Sequence, residues 1–195
     1  MVASAFVPVE PLTAGHDTAK FDCGSVAQTT WLWRHTLQAQ GSGSGRVYVV
    51  SEERASRVIG YYALAAGSVA PGAATARLAK GVGRHPIPVV ILTRLGVDVA
   101  AQGRGVGAAL LRDALLRVDQ AADIIGIRAL LIHAESERAR AFYEHLAEFD
   151  PSPSDPLHLA LLLKDLRRAL EQRSRPRGSR SSTARRARAE FATPG

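Results

Sequence analysis

Apolar and polar positions change period several times along the chain, and the changes mark out alternating helices and strands. Residues 1–20, rich in Pro, Thr and small side chains, predict an irregular lead-in with one early strand around residues 6–9. Val26, Thr30, Trp33 and Leu37 then recur at helical spacing, which predicts a helix with one less polar face, capped by Asp22 or Ser25. The run Gly41-Ser42-Gly43-Ser44-Gly45 reads as a flexible turn. Strands are predicted over 47–51 and 57–66; the second is enriched in β-branched and aromatic residues (Val58, Ile59, Tyr61, Tyr62).

Residues 71–88 are Gly- and Ala-rich and carry Arg77, Lys80, Arg84 and His85 with no acidic residue among them. The nearly continuous apolar run over 89–99, broken by Thr93-Arg94, has the pattern of a central strand buried on both faces. Gly96 inside it predicts a bulge or the close approach of another backbone. A glycine-rich loop follows, then a helix to about Asp119 with Val106, Leu110, Leu111, Ala114, Leu115 and Val118 as its apolar positions. Next come a strand over 128–133 and a Ser136-capped helix with Ala139, Phe142, Tyr143 and Leu146 at i, i+3, i+4 and i+7. A proline-marked loop, a last strand over 157–163 and a short helix over 164–170 complete the pattern. The fold class is α/β in the mixed α+β sense, with one domain over residues 1–170 and an arginine-rich tail over 171–195 that reads as disordered.

Charge and composition narrow this picture. The 195-residue chain carries a net +7, of which +5 comes from seven arginines against two glutamates from residue 171 onward. The basic character therefore belongs mostly to the tail. The single cysteine, Cys23, excludes an intrachain disulfide and an all-cysteine metal site, and its plain reading is a small buried apolar residue. The apolar runs are too short to span a membrane and the N-terminus lacks a secretory pattern, so a cytoplasmic protein is expected.

The segment Gln102-Gly103-Arg104-Gly105-Val106-Gly107 is the strongest chemical signal. A glycine-rich turn that ends a strand and opens a helix presents unpaired N–H groups and the positive end of the helix dipole to an anion. The pattern Q-x-x-G-x-G lacks the Gly-Lys-Ser/Thr of a Walker loop and sits mid-chain, unlike a dinucleotide-binding fingerprint.

Placed after Leu95-Gly96-Val97-Asp98, this loop resembles the pyrophosphate-binding motif of the GNAT acetyltransferases, and Ala139-Arg140-Ala141-Phe142-Tyr143 resembles their A-x-x-F-Y helix. Phe21-Asp22-Cys23-Gly24, Gly60-Tyr61-Tyr62-Ala63-Leu64 and Ile127-Arg128-Ala129-Leu130 extend the match to the acetyltransferase toxins of type II toxin–antitoxin pairs. The chain departs from that pattern at Thr29-Thr30, where an acidic residue is usual, and after Tyr143, where a Gly-Phe pair is usual.

The resemblance implies a mostly antiparallel central sheet with a splayed strand pair, flanked by helices. It implies acetyl-CoA as co-substrate, with no metal, bound by Leu95, Val97, Val99, Gln102, Gly103, Arg104, Gly105, Val106 and Gly107. In the implied mechanism the Val97 amide stabilises the oxyanion and Tyr143 serves the departing sulfur. The acceptor would be the α-amine of aminoacyl-tRNA, its acetylation stopping translation. Such an acceptor needs positive charge along its route, for which Arg77, Lys80, Arg84, His85 and Arg94 are the candidates, a solvated loop being the equally open reading of that segment. A ribbon-helix-helix antitoxin and a homodimer are the implied assemblies. Because an α-amine titrates near ~7.7–8, no strong general base is required; His133 and Glu135 lie near the right strand end, with structural or surface roles equally open. Two other readings stand beside this one: a GNAT that acetylates a small amine, a protein terminus or a lysine, and a non-catalytic module that binds acyl-CoA.

Overall fold

Among the described residues the strand-forming runs assemble into one sheet of seven strands with the order β1-β2-β3-β4-β5-β7-β6. The computed structural model describes residues 8–52 and 56–174. In chain order the elements are β1 (Glu10–Pro11), α1 (Val26–Gly41), β2 (Arg46–Ser51), β3 (Val58–Val69), α2 (Ala76–Ala79), β4 (Ile87–Val97) and α3 (Val106–Ala122). After these come β5 (Ala129–His133), α4 (Glu137–Leu146), β6 (Asp150–Pro151), β7 (His158–Leu162) and α5 (Leu163–Ser174). Every neighbouring pair is antiparallel except β4 and β5, which run parallel and are joined through α3. This is the mixed α/β order that the pattern predicts, in the mostly antiparallel sheet that the resemblance implies.

The two faces of the sheet carry different cores. On one face Leu110, Leu111, Ala114 and Val118 of α3, Tyr143 of α4 and Leu166 of α5 pack on Ile59, Tyr62, Leu92, Leu130 and Ile132. On the other, Leu32 of α1 closes over Val47, Val49, Val58 and Tyr61, and Leu78 of α2 covers Ile87, Val89, Ala129 and Ala160.

Several expectations are revised. Of the early strand over 6–9, residues 6 and 7 lie outside the described residues, and the first observed strand is the two-residue β1. Residues 71–88 are more ordered than a Gly/Ala-rich stretch implies: a 3-10 turn at Pro71–Ala73 leads into α2, capped by Thr75. β4 is central, but its burial is uneven rather than complete on both faces. The tail beyond Ser174 lies outside the described residues.

The largest revision concerns α1. The helix forms where expected, with Ser25 as its cap, but its less polar face points outward: Val26 is 83% exposed, Trp33 49% and Leu37 54%. The buried side is Thr29, Leu32 and Thr36. Both threonines satisfy their hydroxyls locally. Thr36 donates to the Leu32 carbonyl at 2.8 Å, and Thr29 Oγ1 accepts from the Cys23 amide at 3.2 Å. A hydroxyl satisfied in this way buries at little cost, which a pattern of apolar residue types does not register.

Leu110 lies directly over Gly60 of β3, where an added Cβ would come within 2.9 Å of it. Leu110→Ala removes a fully buried side chain between α3 and the sheet and is expected to cost about 2–5 kcal/mol, read from the urea midpoint at unchanged slope.

Candidate active site

β4 has a partner along its whole length on one side only. On the β3 side the register runs from Val69↔Ile87 to Gly60↔Val97. On the β5 side it runs from Val89↔Ala129 to Leu92↔Ile132 and stops. The stop coincides with a β-bulge. Leu64 faces Leu92 and Ala63 faces Arg94, so Thr93 is an extra residue with no partner of its own. A bulge bends and twists its strand, and β4 leaves β5 at that point. Gly96, expected to mark a bulge or a close approach, marks the second: an added Cβ would lie 2.9 Å from the Tyr61 ring and 3.4 Å from Cys23 Sγ.

Beyond the bulge the alternation of an antiparallel ladder fixes the direction of each amide. The Asp98 amide donates to Ile59 at 2.9 Å. The amides of Val97 and Leu95 therefore point away from β3 and into the opening between β4 and β5. The Val97 carbonyl points the same way and accepts from Gln102 Nε2 at 3.0 Å.

The glycine loop closes the end of this opening. Gly103 (φ 72°) and Gly105 (φ 83°) both take left-handed backbone, which costs other L-residues roughly 1–2 kcal/mol. Among the described residues a Cβ at either position would meet nothing within 4 Å, so the constraint is conformational and the loop surface is open to that extent. No side chain caps α3, whose first residue is Val106. Its first-turn amides and the helix dipole therefore face the same open surface. Gly107 serves packing: its Cα lies so close to α4 that a Cβ would sit 3.2 Å from the Phe142 ring and 3.6 Å from Val97.

Two residues brace this end of the sheet. The Asp98 carboxylate, 2% exposed as a residue, accepts from the Ala100 amide at 3.0 Å and the Asp22 amide at 3.3 Å, and pairs with Arg57 at 3.3 Å. Besides the Val97 carbonyl, Gln102 Nε2 reaches the Cys23 carbonyl at 3.1 Å. The side chain of Gln102 is thus a brace between loop and strand. Val99 differs from expectation as well: its amide donates to the Asp22 carbonyl at 2.8 Å and is not presented to the opening.

Tyr143 lies on the α3 side of the opening. Its ring is buried edge-on to Phe142 (centroids 5.2 Å apart) and Phe149 (6.2 Å). Its hydroxyl has no hydrogen-bond partner among the described residues. Burial, with a smaller contribution from Glu135, raises its pKa above the ordinary phenol value, so the group stays protonated. Glu135 follows β5 and accepts from Ser25 Oγ at 2.6 Å, tying the β5 side of the opening to the cap of α1. His133 stacks on His158 with ring centroids 4.0 Å apart, and burial together with that neighbour lowers its pKa.

The basic candidates do not converge. Arg94 is the one at the opening; it lies on the α1 face, 5.5 Å from the Trp31 ring centroid, and donates to the Thr93 carbonyl at 2.7 Å. Lys80 and Arg84 are exposed between β3 and β4, at the other end of β4, about 33 Å of strand from Val97. Arg77 lies with them and is engaged: it pairs with Asp150 at 2.8 Å and with the buried Asp165 at 2.5 Å. Sequence reasoning missed the Asp98 hub and the Ser25–Glu135 bond. An aspartate just before a Val-Ala-Ala turn is a capping signal for the first, whereas nothing local marks the second. Among the described residues, no helix is long and apolar enough to cross a membrane.

Residues 43–146 match the family model described as an acetyltransferase (GNAT) domain. The chain is 47% identical over 151 residues to the "tRNA-acetylating toxin" of Mycobacterium tuberculosis (strain ATCC 25618 / H37Rv), spanning 77% of this chain and 89% of that protein. Among solved structures it is similar to AtaT complexed with acetyl-methionyl-tRNAfMet (TM-score 0.76, 29% identity, 84% of this chain and 98% of that one). It is also similar to a tyrosine-to-phenylalanine mutant of the AtaT toxin bound to the C-terminus of the antitoxin AtaR and acetyl-CoA (TM-score 0.70, 29% identity, 83% and 95%).

Because Arg77 neutralises a buried carboxylate, Arg77→Ala is expected to lower the thermal midpoint by several degrees, measured by calorimetry, with acetyl-CoA affinity unchanged by isothermal titration.

Proposed function

The chain belongs to the GNAT acetyltransferase family and is an acetyl-CoA-dependent N-acetyltransferase, and from that premise we propose that it acetylates the α-amine of aminoacyl-tRNA and so stops translation, as the toxin of a toxin–antitoxin pair. The observation that carries the chemistry is the opening between β4 and β5, with the Leu95 and Val97 amides on one lip, the glycine loop at its end and an uncommitted phenol beside it. The 47% identity to a tRNA-acetylating toxin supports the acceptor.

In this reading the pyrophosphate of acetyl-CoA rests on the amides from Gly103 to the first turn of α3, where glycine backbone and helix dipole favour an anion. The pantetheine amides pair with Leu95 and Val97 as a strand would. The Val97 amide is then a preorganised donor for the oxyanion of the tetrahedral intermediate. Leu95 and Val97 side chains face α3 and α4, so the thioester is served from that side and the amine enters from the α1 face, past Arg94 and Trp31. Arg94 is the tRNA contact this geometry favours; Lys80 and Arg84 reach only a distant part of a large acceptor. A cationic guanidinium at the entrance also disfavours polyamines as acceptors. The partner in this reading is an antitoxin with a ribbon-helix-helix domain, which binds the toxin through its C-terminal segment.

Tyr143, held protonated, donates to the departing sulfur. Tyr143→Phe is expected to lower kcat by about 10²–10⁴-fold while acetyl-CoA affinity stays within about twofold of wild type, since the ring packing survives. Single-turnover kinetics with labelled acetyl-CoA and bulk aminoacyl-tRNA read the first quantity and calorimetric titration the second. An unchanged kcat removes Tyr143 from the mechanism, and the absence of any acetyl-aminoacyl-tRNA from the wild-type reaction removes the acceptor assignment. With its pKa raised, Tyr143 is expected to stay protonated at least to pH 10, so no loss of rate below that pH arises from its ionisation.

A further inference from the structure

The α1 face of the opening has two flat walls. On the β4 side Arg94 lies against the Trp31 ring. On the β5 side His133 and His158 stand opposite each other in the β5–β7 ladder and stack with centroids 4.0 Å apart and planes 24° apart. Strand alternation fixes their face. Leu130 and Ile132 of β5 and Leu159 and Leu161 of β7 pack toward α3, so His133 and His158 share the other face with Ala129, Leu131 and Ala160. Register fixes their place along the sheet. The last β4–β5 pair is Leu92 with Ile132, and His133 is the next residue, at the mouth of the opening. The strand order β4-β5-β7 puts His158 on the far side, so the free face of the His133 ring looks across the opening toward β4. Among the described residues no helix buries the pair: α2 covers the Ile87, Val89, Ala129 and Ala160 end of this face and α1 covers β2 and β3. His133 is exposed, and the His158 side chain is 42% exposed.

A cross-strand pair of this kind adds little to the stability of a sheet. What it offers at an opening is a flat surface. The 3′ end of a charged tRNA is a single strand, and unpaired bases are recognised by stacking on aromatic rings or on guanidinium planes. We propose that the His133–His158 pair is the stacking platform for the 3′-terminal base of the acceptor, with Arg94 and Trp31 closing the opposite wall. This role rests on the aminoacyl-tRNA reading and names the residues that seat the nucleotide carrying the amine. Leu95 lies three residues beyond Leu92, about 10 Å of strand from the end of the β4–β5 pairing, a gap of the order that one ribose and its ester bridge. With the base seated on His133, the ester enters the opening from the α1 face and the amine meets the thioester served from the α3 side. His133 and His158 are positioning residues and touch none of the reacting atoms. Stacking accepts any base, because every base has a flat face, so the platform recognises a single-stranded 3′ end and leaves the choice among charged tRNAs to other contacts.

An alternative is that the pair only stiffens the β5–β7 edge of the sheet. Three variants and one altered acceptor separate the roles. Steady-state kinetics with saturating labelled acetyl-CoA and bulk aminoacyl-tRNA are run on His133→Ala, His133→Phe and His158→Ala, alongside calorimetric acetyl-CoA titration and thermal melts. His133→Ala is expected to raise KM for aminoacyl-tRNA about tenfold, with the loss in KM rather than in kcat. His133→Phe, which keeps a flat ring, recovers most of that loss, and His158→Ala, which leaves the His133 face in place but unsupported, loses less than His133→Ala. Acetyl-CoA affinity and melting temperature stay at wild-type values. An aminoacyl-tRNA whose 3′-terminal nucleotide lacks its base is expected to lose about tenfold with the wild type and nothing further with His133→Ala, because the two changes remove one contact. A wild-type KM in His133→Ala overturns the proposal, as do a loss confined to kcat and losses that add when the base and the ring are both removed. A loss that His133→Phe does not recover, together with a lowered melt, marks a strut in the sheet and overturns it too. Failure of the wild type to acetylate any aminoacyl-tRNA overturns the acceptor reading and this role with it, a result distinct from an active wild type with an unaffected variant.

Discussion

The site depends on one unmatched length. β4 has eleven residues and β5 has five, and the Thr93 bulge turns β4 aside where its pairing with β5 ends. An unpaired backbone group in a protein interior ordinarily costs free energy. Here the Leu95 and Val97 amides are left facing an opening in the middle of a sheet whose other strands are paired. The bulge also sets the side chains. It brings Leu95 and Val97 onto the same face as Val90 and Leu92, toward α3 and α4, and leaves Arg94 on the α1 face. One extra residue therefore creates the opening and assigns its two sides.

An opening at the end of a strand keeps its shape only if the chain around it is fixed. Asp98 gathers the 3-10 turn, the Asp22 amide and Arg57, and Gln102 ties the loop to Val97 and to the segment before α1. On the far side of the sheet Tyr62 donates to Asp113, which also holds Arg117, and Arg117 lies over the Tyr48 ring at 4.0 Å. These bonds anchor α3 to β2 and β3. The helix whose N-terminus faces the anion is thus held by its flank, while its first turn stays free.

What the sequence revealed was local. Glycines at Gly103 and Gly105 are demanded by backbone conformation, Ser136 caps the helix that carries Tyr143, and the 3.6-residue spacing of Ala139, Phe142 and Leu146 shows which side that helix buries. What it concealed was set by contacts distant along the chain. Arg77 looked like a free cation in a basic segment because its carboxylates lie 73 and 88 residues further on. Ser25 and Glu135 are 110 residues apart. The bulge at Thr93 has no compositional mark, so the glycine nearby was the natural suspect, although Gly96 answers to the Tyr61 ring instead. The outward face of α1 escapes a pattern of residue types because two threonines, bonded within their own segment, bury as small apolar groups do.

The interrupted pairing of β4 has a thermodynamic consequence. A ligand whose amides pair with Leu95 and Val97 supplies the backbone partner that β5 does not, and so acts as an eighth, non-covalent strand. Folding and ligand binding are then linked. At a ligand concentration one hundred times its dissociation constant, the folded state gains about 2.7 kcal/mol over the unfolded chain, a large share of the margin by which a domain of this size stays folded.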